Sequence, residues 1–312
     1  MPSSLTGRNF ISVLDFSADE IHAVLAAAQA VKADPAAFGE TPLERKTLAM
    51  IFQKPSLRTR VSFEAGMTQM GGHAIYLGPT DISLGKRETT EDIALVLSRY
   101  VDVIMARVFG HHLVEELAAS ATVPVINALS DFEHPCQILA DLQTVQERKG
   151  QLAGLQACYI GDGNNVAHSL MYGAARVGMH MRIITPEGYE PDSEVLKIAS
   201  EVGSQTGANI EAVHSLEATE GADVLYTDVW ASMGQEKEAE ARKAIFADYR
   251  IDATTMERAD DDAVILHCLP AHYGDEIDYA TSRTPNSALF DQAENRLHAQ
   301  KALVLLVSGC SR

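Results

Sequence analysis

The chain has 312 residues, with 25 Lys+Arg against 43 Asp+Glu and a formal net charge of −18. So acidic a balance argues against general binding to nucleic acid or to an anionic membrane surface, both of which need a basic footprint. Any anion must be captured by a local positive site working against the global field, and the length predicts two domains rather than one large core.

Hydrophobic residues make up 46% and charged residues 22%, the balance of an ordinary soluble globular protein. The opening "MPSSLTGRNFISVLDF" lacks the charged-then-apolar layout of a secretory signal, and no run approaches the roughly 20 apolar residues of a membrane span. Cys136, Cys158, Cys268 and Cys310 are scattered without C-x-x-C or metal-finger spacing. Free thiols in a cytoplasmic protein are the expectation.

In chain order, "SADEIHAVLAAAQAVKAD" opens with Ser17 and Glu20 at capping-box spacing and reads as an amphipathic helix. "TLAMIF" (47–52) is a short strand ending at "QKPS", where Pro55 biases Lys54 away from helix. From Arg58 to about Met70 the spacing is helical, and Gly71-Gly72 end it. "HAIYLG", "VDVIMAR" and "VPVINAL" follow as strands, alternating with the helices "TTEDIALVLSRY" and "HHLVEELAASA" and with a long helix from Pro135 to Lys149. The polar, glycine-bearing "KGQLAGLQ" marks a boundary near residue 150.

The second half repeats the alternation. "ACYIGD", "MRIITP", "NIEAVH", "DVLYTDV" and "AVILHCLP" read as strands, with helices at 166–177 and through "SEVLKIASEVG", and "AENRLHAQKALVLLVSG" as a last helix. Strands alternating with helices imply an α/β protein of two doubly wound, mostly parallel sheets. Ligands of such sheets gather at the carboxyl ends of the strands.

Several loops at those ends carry chemistry. "KPSLRTR" (54–60) lies on a strand-to-helix turn, where free amides, hydroxyls and forked guanidiniums together make an anion site. Lys54 and Arg60 would lend it supporting charge. It is not a Walker P-loop, since no G-x-x-x-x-G-K-[ST] occurs. Arg107 ends a strand on the same rim, although alone it would read as a strand-end salt bridge. "SDFEHPCQILADLQT" puts His134 and Gln137 at a helix start with Asp131 as a candidate cap, an arrangement that is more often structural when it stands alone.

"CYIGDGNNVAHSL" has Gly161 and Gly163 after a strand but Val166 in the third glycine position, so the dinucleotide reading is weak. Asn164 and Asn165 offer amide donors and acceptors there instead. Asp228 ends a strand in "YTDVWASMGQE", placed to bind an α-ammonium group or simply to form a turn. Cys268 comes at the end of "AVILHC". A metal reading of His267, Cys268 and His272 is poor, because neighbouring strand residues point to opposite faces, and His111-His112 fails likewise. No metal is expected.

Taken together, "SLRTR", "ARV", "HPCQILADLQT", "GDGNNVAHS", "DVWASMGQE", "HCLPAH" and "ENR" resemble, in order, the motifs of the aspartate/ornithine carbamoyltransferase family, over about residues 7–307. Within it, "DVWASMGQE" and "HCLPAH" are similar to the members that act on ornithine. The resemblance implies a carbamoyl-phosphate-binding domain over 1–149, joined by a C-terminal helix at 291–312 that crosses back onto it, and an ornithine-binding domain over 150–290. It implies that Ser56, Leu57, Arg58 and Thr59 cradle the phosphate of carbamoyl phosphate. Arg107, His134 and Gln137 would complete that pocket, and Cys268, Leu269 and Arg296 would close over the reacting centre. Asn165, Asp228, Ser232 and Met233 would hold L-ornithine. A homotrimer without metal or organic cofactor is implied as well.

The implied reaction is attack of the neutral δ-amine on the carbonyl of carbamoyl phosphate, giving citrulline and phosphate in arginine metabolism. Arg58, Thr59, Arg107 and His134 would meet the developing oxyanion. An alkyl amine with a pKa of about 10 is mostly protonated at neutral pH, so the site has to favour its neutral form. Cys268 and Asp228 are candidates for that task, with substrate packing and α-amine binding as equal alternatives. Leu57 departs from the family's S-T-R-T-R. The change is nearly silent if the backbone N–H makes the contact and costs about 1 kcal/mol if a hydroxyl did. Transfer to another amine, such as putrescine or an N-acylated ornithine, and a catalytically silent anion-binding module are the competing readings.

Overall fold

The computed structural model describes residues 5–85, 87–231 and 238–310. The chain divides into two compact units, Met1–Gln143 with Glu294–Arg312, and Thr144–Ala293. In the first, α1 (Ala18–Ala33), β1 (Thr47–Phe52), α2 (Leu57–Gln69), β2 (His73–Leu77), α3 (Thr90–Leu97), β3 (Val103–Arg107), α4 (His111–Ser120) and β4 (Val125–Leu129) alternate along the sequence. Helix α5 (Pro135–Lys149) begins in this unit and ends in the second. The predicted capping box starts α1, with Ser17 and Glu20 each accepting the other's backbone N–H.

The four strands are all parallel in the order β2-β1-β3-β4. Ala49, Ile51, Ile104 and Ala106 pack with Val114 and Leu117 of α4 in a buried cluster. Outside β4 the segment around Phe10 extends the sheet: Phe10 N donates to Val125 O and Asn127 N donates to Phe10 O, both at 2.9 Å. That covers an edge whose unpaired amides would otherwise recruit another chain.

The second unit runs through β5 (Gln156–Ile160), α6 (Asn165–Val177), β6 (His180–Ile184), α7 (Ser193–Thr206), β7 (Ile210–Val213), β8 (Val224–Thr227), α8 (Ala239–Phe246), α9 (Ala253–Met256) and β9 (Val264–His267). Its five parallel strands lie in the order β7-β6-β5-β8-β9. Helices α8 and α9 had no counterpart in the sequence reading.

The last helix, α10 (Leu289–Val307), starts in the second unit and ends in the first. There it docks on α1 and α2: Lys32 Nζ donates to Asn295 Oδ1 at 2.8 Å, and Lys301 Nζ to Gln69 Oε1 at 3.2 Å.

Register brings the functional loops to common rims. Phe52 pairs with Arg107 across β1 and β3, so the 53–60 turn and the end of β3 emerge together. Ile160 pairs with Thr227, and Thr227 with His267, so the residues that follow β5, β8 and β9 also leave one edge together. Both rims lie where the strand order reverses direction, as expected for ligand sites of open α/β sheets.

The β5–α6 turn is pinned by close approach. Gly163 N donates to Tyr189 O at 2.9 Å, and a Cβ on Gly163 would fall 2.2 Å from Pro191 N. Gly163→Ala must therefore move backbone, and we expect it to lower unfolding free energy by about 1–3 kcal/mol or more, read from denaturant midpoints. A midpoint equal to wild type would contradict this packing.

Candidate active site

Helix α2 begins where the sequence dictates. Ser56 is extended (φ −153°, ψ 121°) and its side chain accepts from Thr59 N at 3.4 Å, so it caps the helix and first-turn amides face the rim. Arg58 and Arg60 lie about 200° apart around the helix, and only one can face inward. Arg60 turns outward: its Nε donates to Glu64 at 3.1 Å and its guanidinium covers the Tyr76 ring at 4.0 Å. The expectation that Arg60 supports the anion site is thereby corrected. Leu57 is 75% exposed, so only its backbone can serve that site. Lys54 is half-buried on the preceding turn.

Thr59, only 1% exposed, ties the inner side together. Its hydroxyl accepts from Arg107 Nη1 at 3.4 Å and from Arg296 Nη2 at 3.5 Å. Arg296 Nη1 donates to Gln137 Oε1 at 2.6 Å, and Gln137 Nε2 to Asp141 Oδ1 at 2.7 Å. The β1–α2 turn, the end of β3, the start of α5 and helix α10 thus share one network.

His134 sits buried just before α5, its carbonyl accepting from Gln137 N. Burial first, and then the positive charges of Arg296, Arg107 and Arg58, hold its imidazole well below the usual histidine range. A neutral imidazole among three guanidiniums is a hydrogen-bond donor toward an oxygen rather than a fourth cation.

Asp131 does not cap α5 as anticipated. Its N–H donates to Phe109 O, and its Oδ1 accepts from His111 N at 2.9 Å, which commits it to the start of α4. Burial pushes the Cys136 thiol up to about 12, and it donates to Asn127 O at 3.3 Å, so it is an inert core group.

The second unit builds a different set. Asn164 caps α6, its Oδ1 accepting from Val166 N and Ala167 N, while its Nδ2 donates to Asp228 Oδ2 at 3.3 Å. The Cys268 thiol donates to Asp228 Oδ1 at 2.9 Å, so both oxygens of this buried carboxylate have partners. Asn165 opens α6 beside them. Tyr159 lies beneath, its hydroxyl 3.5 Å from Asn164 Oδ1; burial and then Asp228 lift its pKa well above the usual phenol value.

His267 Nδ1 accepts from Leu269 N at 2.9 Å, which leaves the proton on Nε2 for Glu276 Oε1 at 3.0 Å. Leu269 has φ +57° and precedes a cis peptide to Pro270. Ser232 and Met233 lie outside the described residues.

The argument against a shared metal face at 267–268 fails geometrically. Cys268 lies beyond the last strand residue, so strand alternation no longer governs it, and ligand atoms of Asp228, His267 and Cys268 lie within 4.8 Å of one another. His272, Asp275 and Glu276 form a second such group. Both offer donors that a divalent cation accepts. Both are also engaged internally, through Cys268–Asp228, His267–Glu276 and an Asp275–Lys243 ion pair at 3.1 Å.

The sequence reading overlooked the partners that fix these groups: Asp141, Tyr159, Asp162 and Arg242. Asp162 stands in the quoted G-D-G-N-N turn and could have been flagged by position. Arg242 lies on a helix with no motif, and nothing local announced it.

Each of the two parallel α/β units thus carries its own group of polar side chains at a sheet rim, one cationic and the other with an acid, amides and a thiol, an architecture found in many enzymes. Comparison with known proteins agrees. The family profile "Aspartate/ornithine carbamoyltransferase, carbamoyl-P binding domain" matches residues 8–147, and the "Asp/Orn binding domain" profile matches 153–307.

The ornithine carbamoyltransferase of Thermococcus kodakarensis is 52% identical over 311 residues, 99% of each chain. The anabolic ornithine carbamoyltransferase of Pyrococcus furiosus is likewise 52% identical over 99% of each. The solved Pyrococcus furiosus ornithine carbamoyltransferase superimposes with a TM-score of 0.95 at 51% identity, over 99% of this chain and 100% of that one. The Gloeobacter violaceus enzyme gives 0.88 at 43%, over 97% and 99%. The chain belongs to the aspartate/ornithine carbamoyltransferase family.

The depressed His134 has a consequence for stability. Below an unfolded-state pKa of about 6.5 the unfolded chain binds a proton that the folded chain refuses, so falling pH through that value favours unfolding. His134→Gln lacks this proton uptake. The stability of wild type relative to the variant should fall between pH 8 and pH 5, measured as the difference in denaturant midpoints; a pH-independent difference would contradict the assignment.

Proposed function

We propose that the chain transfers the carbamoyl group of carbamoyl phosphate to the δ-amine of L-ornithine, giving L-citrulline and phosphate, a step of arginine biosynthesis. The observation that carries this reading is the conjunction of the Thr59–Arg107–Arg296–Gln137 network around a neutral His134 with an Asp228–Cys268–Asn164 group in the second unit. The relatives at half identity over nearly the whole chain carry the same activity in their names.

In this reading Ser56, the backbone of Leu57, Arg58 and Thr59 hold the phosphate. Arg107, His134 and Gln137 bind the carbamoyl group, and Arg296 orients Gln137 and Thr59. Cys268 and Leu269, which follow β9, are further candidates. The amine lone pair attacks the carbonyl carbon, a C–N bond forms, and charge develops on an oxygen to which Arg58, Arg107, Thr59 and neutral His134 donate. The C–O bond to phosphate then breaks and the phosphate leaves with the electron pair. The proton shed by the nitrogen passes to that phosphate or to solvent. Asp228 and Asn165 take the α-ammonium and α-carboxylate of ornithine, together with Ser232 and Met233.

An acceptor with a free α-amino acid end offers Asp228 an ammonium and Asn165 a carboxylate. An N-acylated ornithine lacks the ammonium and putrescine lacks the carboxylate, which favours ornithine over them.

A homotrimer belongs to the same proposal. The first unit leaves Leu57, Val61, Ile75, Leu95, Val96 and Tyr100 exposed, and its edge strand β2 is poorly covered, apolar surface that a second copy of the chain could bury. So does a cytoplasmic location, in keeping with four cysteines that form no disulfide.

Incubation with carbamoyl phosphate and, separately, ornithine, putrescine and N-acetylornithine should yield product with ornithine alone. Product from either competitor in preference would overturn the acceptor assignment. Arg58→Ala should cut kcat by about 10²–10³ with little change in melting temperature; equal loss of both would make Arg58 a structural residue.

A further inference from the structure

Arg242 occupies an unusual place for an arginine. It lies on the short helix α8, yet it faces inward with Phe246 and is only 7% exposed. Burying a guanidinium is costly unless charge and hydrogen bonds compensate it. Arg242 has both: Nη1 donates to Trp230 O at 2.9 Å and lies 3.1 Å from Asp162 Oδ2, and Nε reaches Glu238 at 3.2 Å. Its plane lies over the Tyr189 ring at 5.0 Å, and Phe246 stacks on Trp230 beside it. Asp162 is buried too; burial lifts its pKa and Arg242 opposes the rise.

The two groups that Arg242 joins bracket the amino-acid half of the site. Asp162 is two residues before Asn164 and three before Asn165; Trp230 is two residues after Asp228. Between these anchors the turn after β5 and the segment after β8 touch through Asn164 Nδ2 and Asp228 Oδ2 at 3.3 Å. One guanidinium therefore fixes the spacing of the two segments that present Asn165 and Asp228. A buried ion pair is weak evidence for stability, because apolar groups of similar size often serve as well. Its directional bonds do what apolar groups cannot, which is to hold two loops in one register.

We propose that Arg242 and Asp162 form a positioning pair for the acceptor amino acid, setting Asp228 and Asn165 at the spacing that its α-ammonium and α-carboxylate require. This rests on the ornithine reading above. Neither residue touches the reacting atoms. Their loss weakens acceptor binding and leaves carbamoyl phosphate binding, whose phosphate contacts come from residues of the other unit, unaffected.

The test compares wild type, Arg242→Lys and the double variant Asp162→Asn/Arg242→Met, which removes both charges and so leaves no uncompensated buried ion. Steady-state kinetics give KM for each substrate and kcat. Calorimetric titration with L-norvaline, ornithine without its δ-amine, reports acceptor binding even in a slow variant, and melting curves report folding. The double variant should stay folded, with KM for ornithine and Kd for norvaline raised about tenfold or more and KM for carbamoyl phosphate within about twofold of wild type. Arg242→Lys, which keeps the charge but loses the fork, should fall between. A folded double variant with wild-type KM for ornithine, or one in which both KM values rise together, would overturn the positioning role alone. Wild-type protein that forms no citrulline would overturn the acceptor assignment and this proposal with it.

Discussion

Everything at the two rims depends on parallel strand register. Because Phe52 stands opposite Arg107, and Ile160, Thr227 and His267 form a row, loops distant in sequence leave each sheet at one level. A one-residue slip in any strand would turn its side chains to the other face and carry Arg107, Asp228 or Cys268 away from its partners. The hydrogen bonds that knit each group, Arg107 to Thr59 and Cys268 to Asp228, are short-range consequences of that long-range order.

The second constraint is electrostatic. A protein of net charge −18 repels anions at a distance, so an anionic substrate has to be recognised at close quarters by groups that cannot be screened. Three arginines, Arg58, Arg107 and Arg296, surround His134 at the first rim, and their mutual repulsion is tempered by what lies among them. Thr59 offers one hydroxyl oxygen to two guanidiniums, Gln137 offers its carbonyl, and Asp141 anchors Gln137 from behind. His134 adds no further charge, since burial and then the surrounding arginines suppress its protonation. The second unit is built differently: the carboxylate of Asp228 is held by an amide and a thiol, Asn164 Nδ2 and Cys268 Sγ, rather than by guanidiniums.

Much of this was legible in the sequence, for identifiable reasons. Helices with local signals were placed almost to the residue: the Ser17/Glu20 box opens α1, Pro55 and Ser56 set the start of α2, and Pro135 starts α5. Apolar runs marked the central strands, where both faces of a parallel sheet are buried, whereas the edge strands β2 and β7 are only partly buried. Helices α8 and α9 were missed, since eight and four residues are too few for an apolar periodicity to stand out. At the site, motif residues could be named but their partners could not. Arg60 was expected to lend supporting charge to the 54–60 turn, whereas it pairs with Glu64, and Asp131 looked like the cap of the helix it precedes, whereas it serves α4. His267 and Cys268 were judged by strand alternation one residue past the point where the strand ends. Arg242 and Asp162 lie 80 positions apart in sequence, and only tertiary structure joins them.

The division of the first unit between the two ends of the chain bears on how the protein comes into being. Its sheet is encoded by the opening residues and so is synthesised first, but Asn295, Arg296 and Lys301 belong to the closing helix. A nascent chain can form the β1–β4 sheet and still lack the guanidinium that bonds Gln137 and Thr59. Domains made early usually fold early; here the Thr59–Arg107–Gln137 network cannot close until Arg296, 159 positions beyond Gln137, has been synthesised.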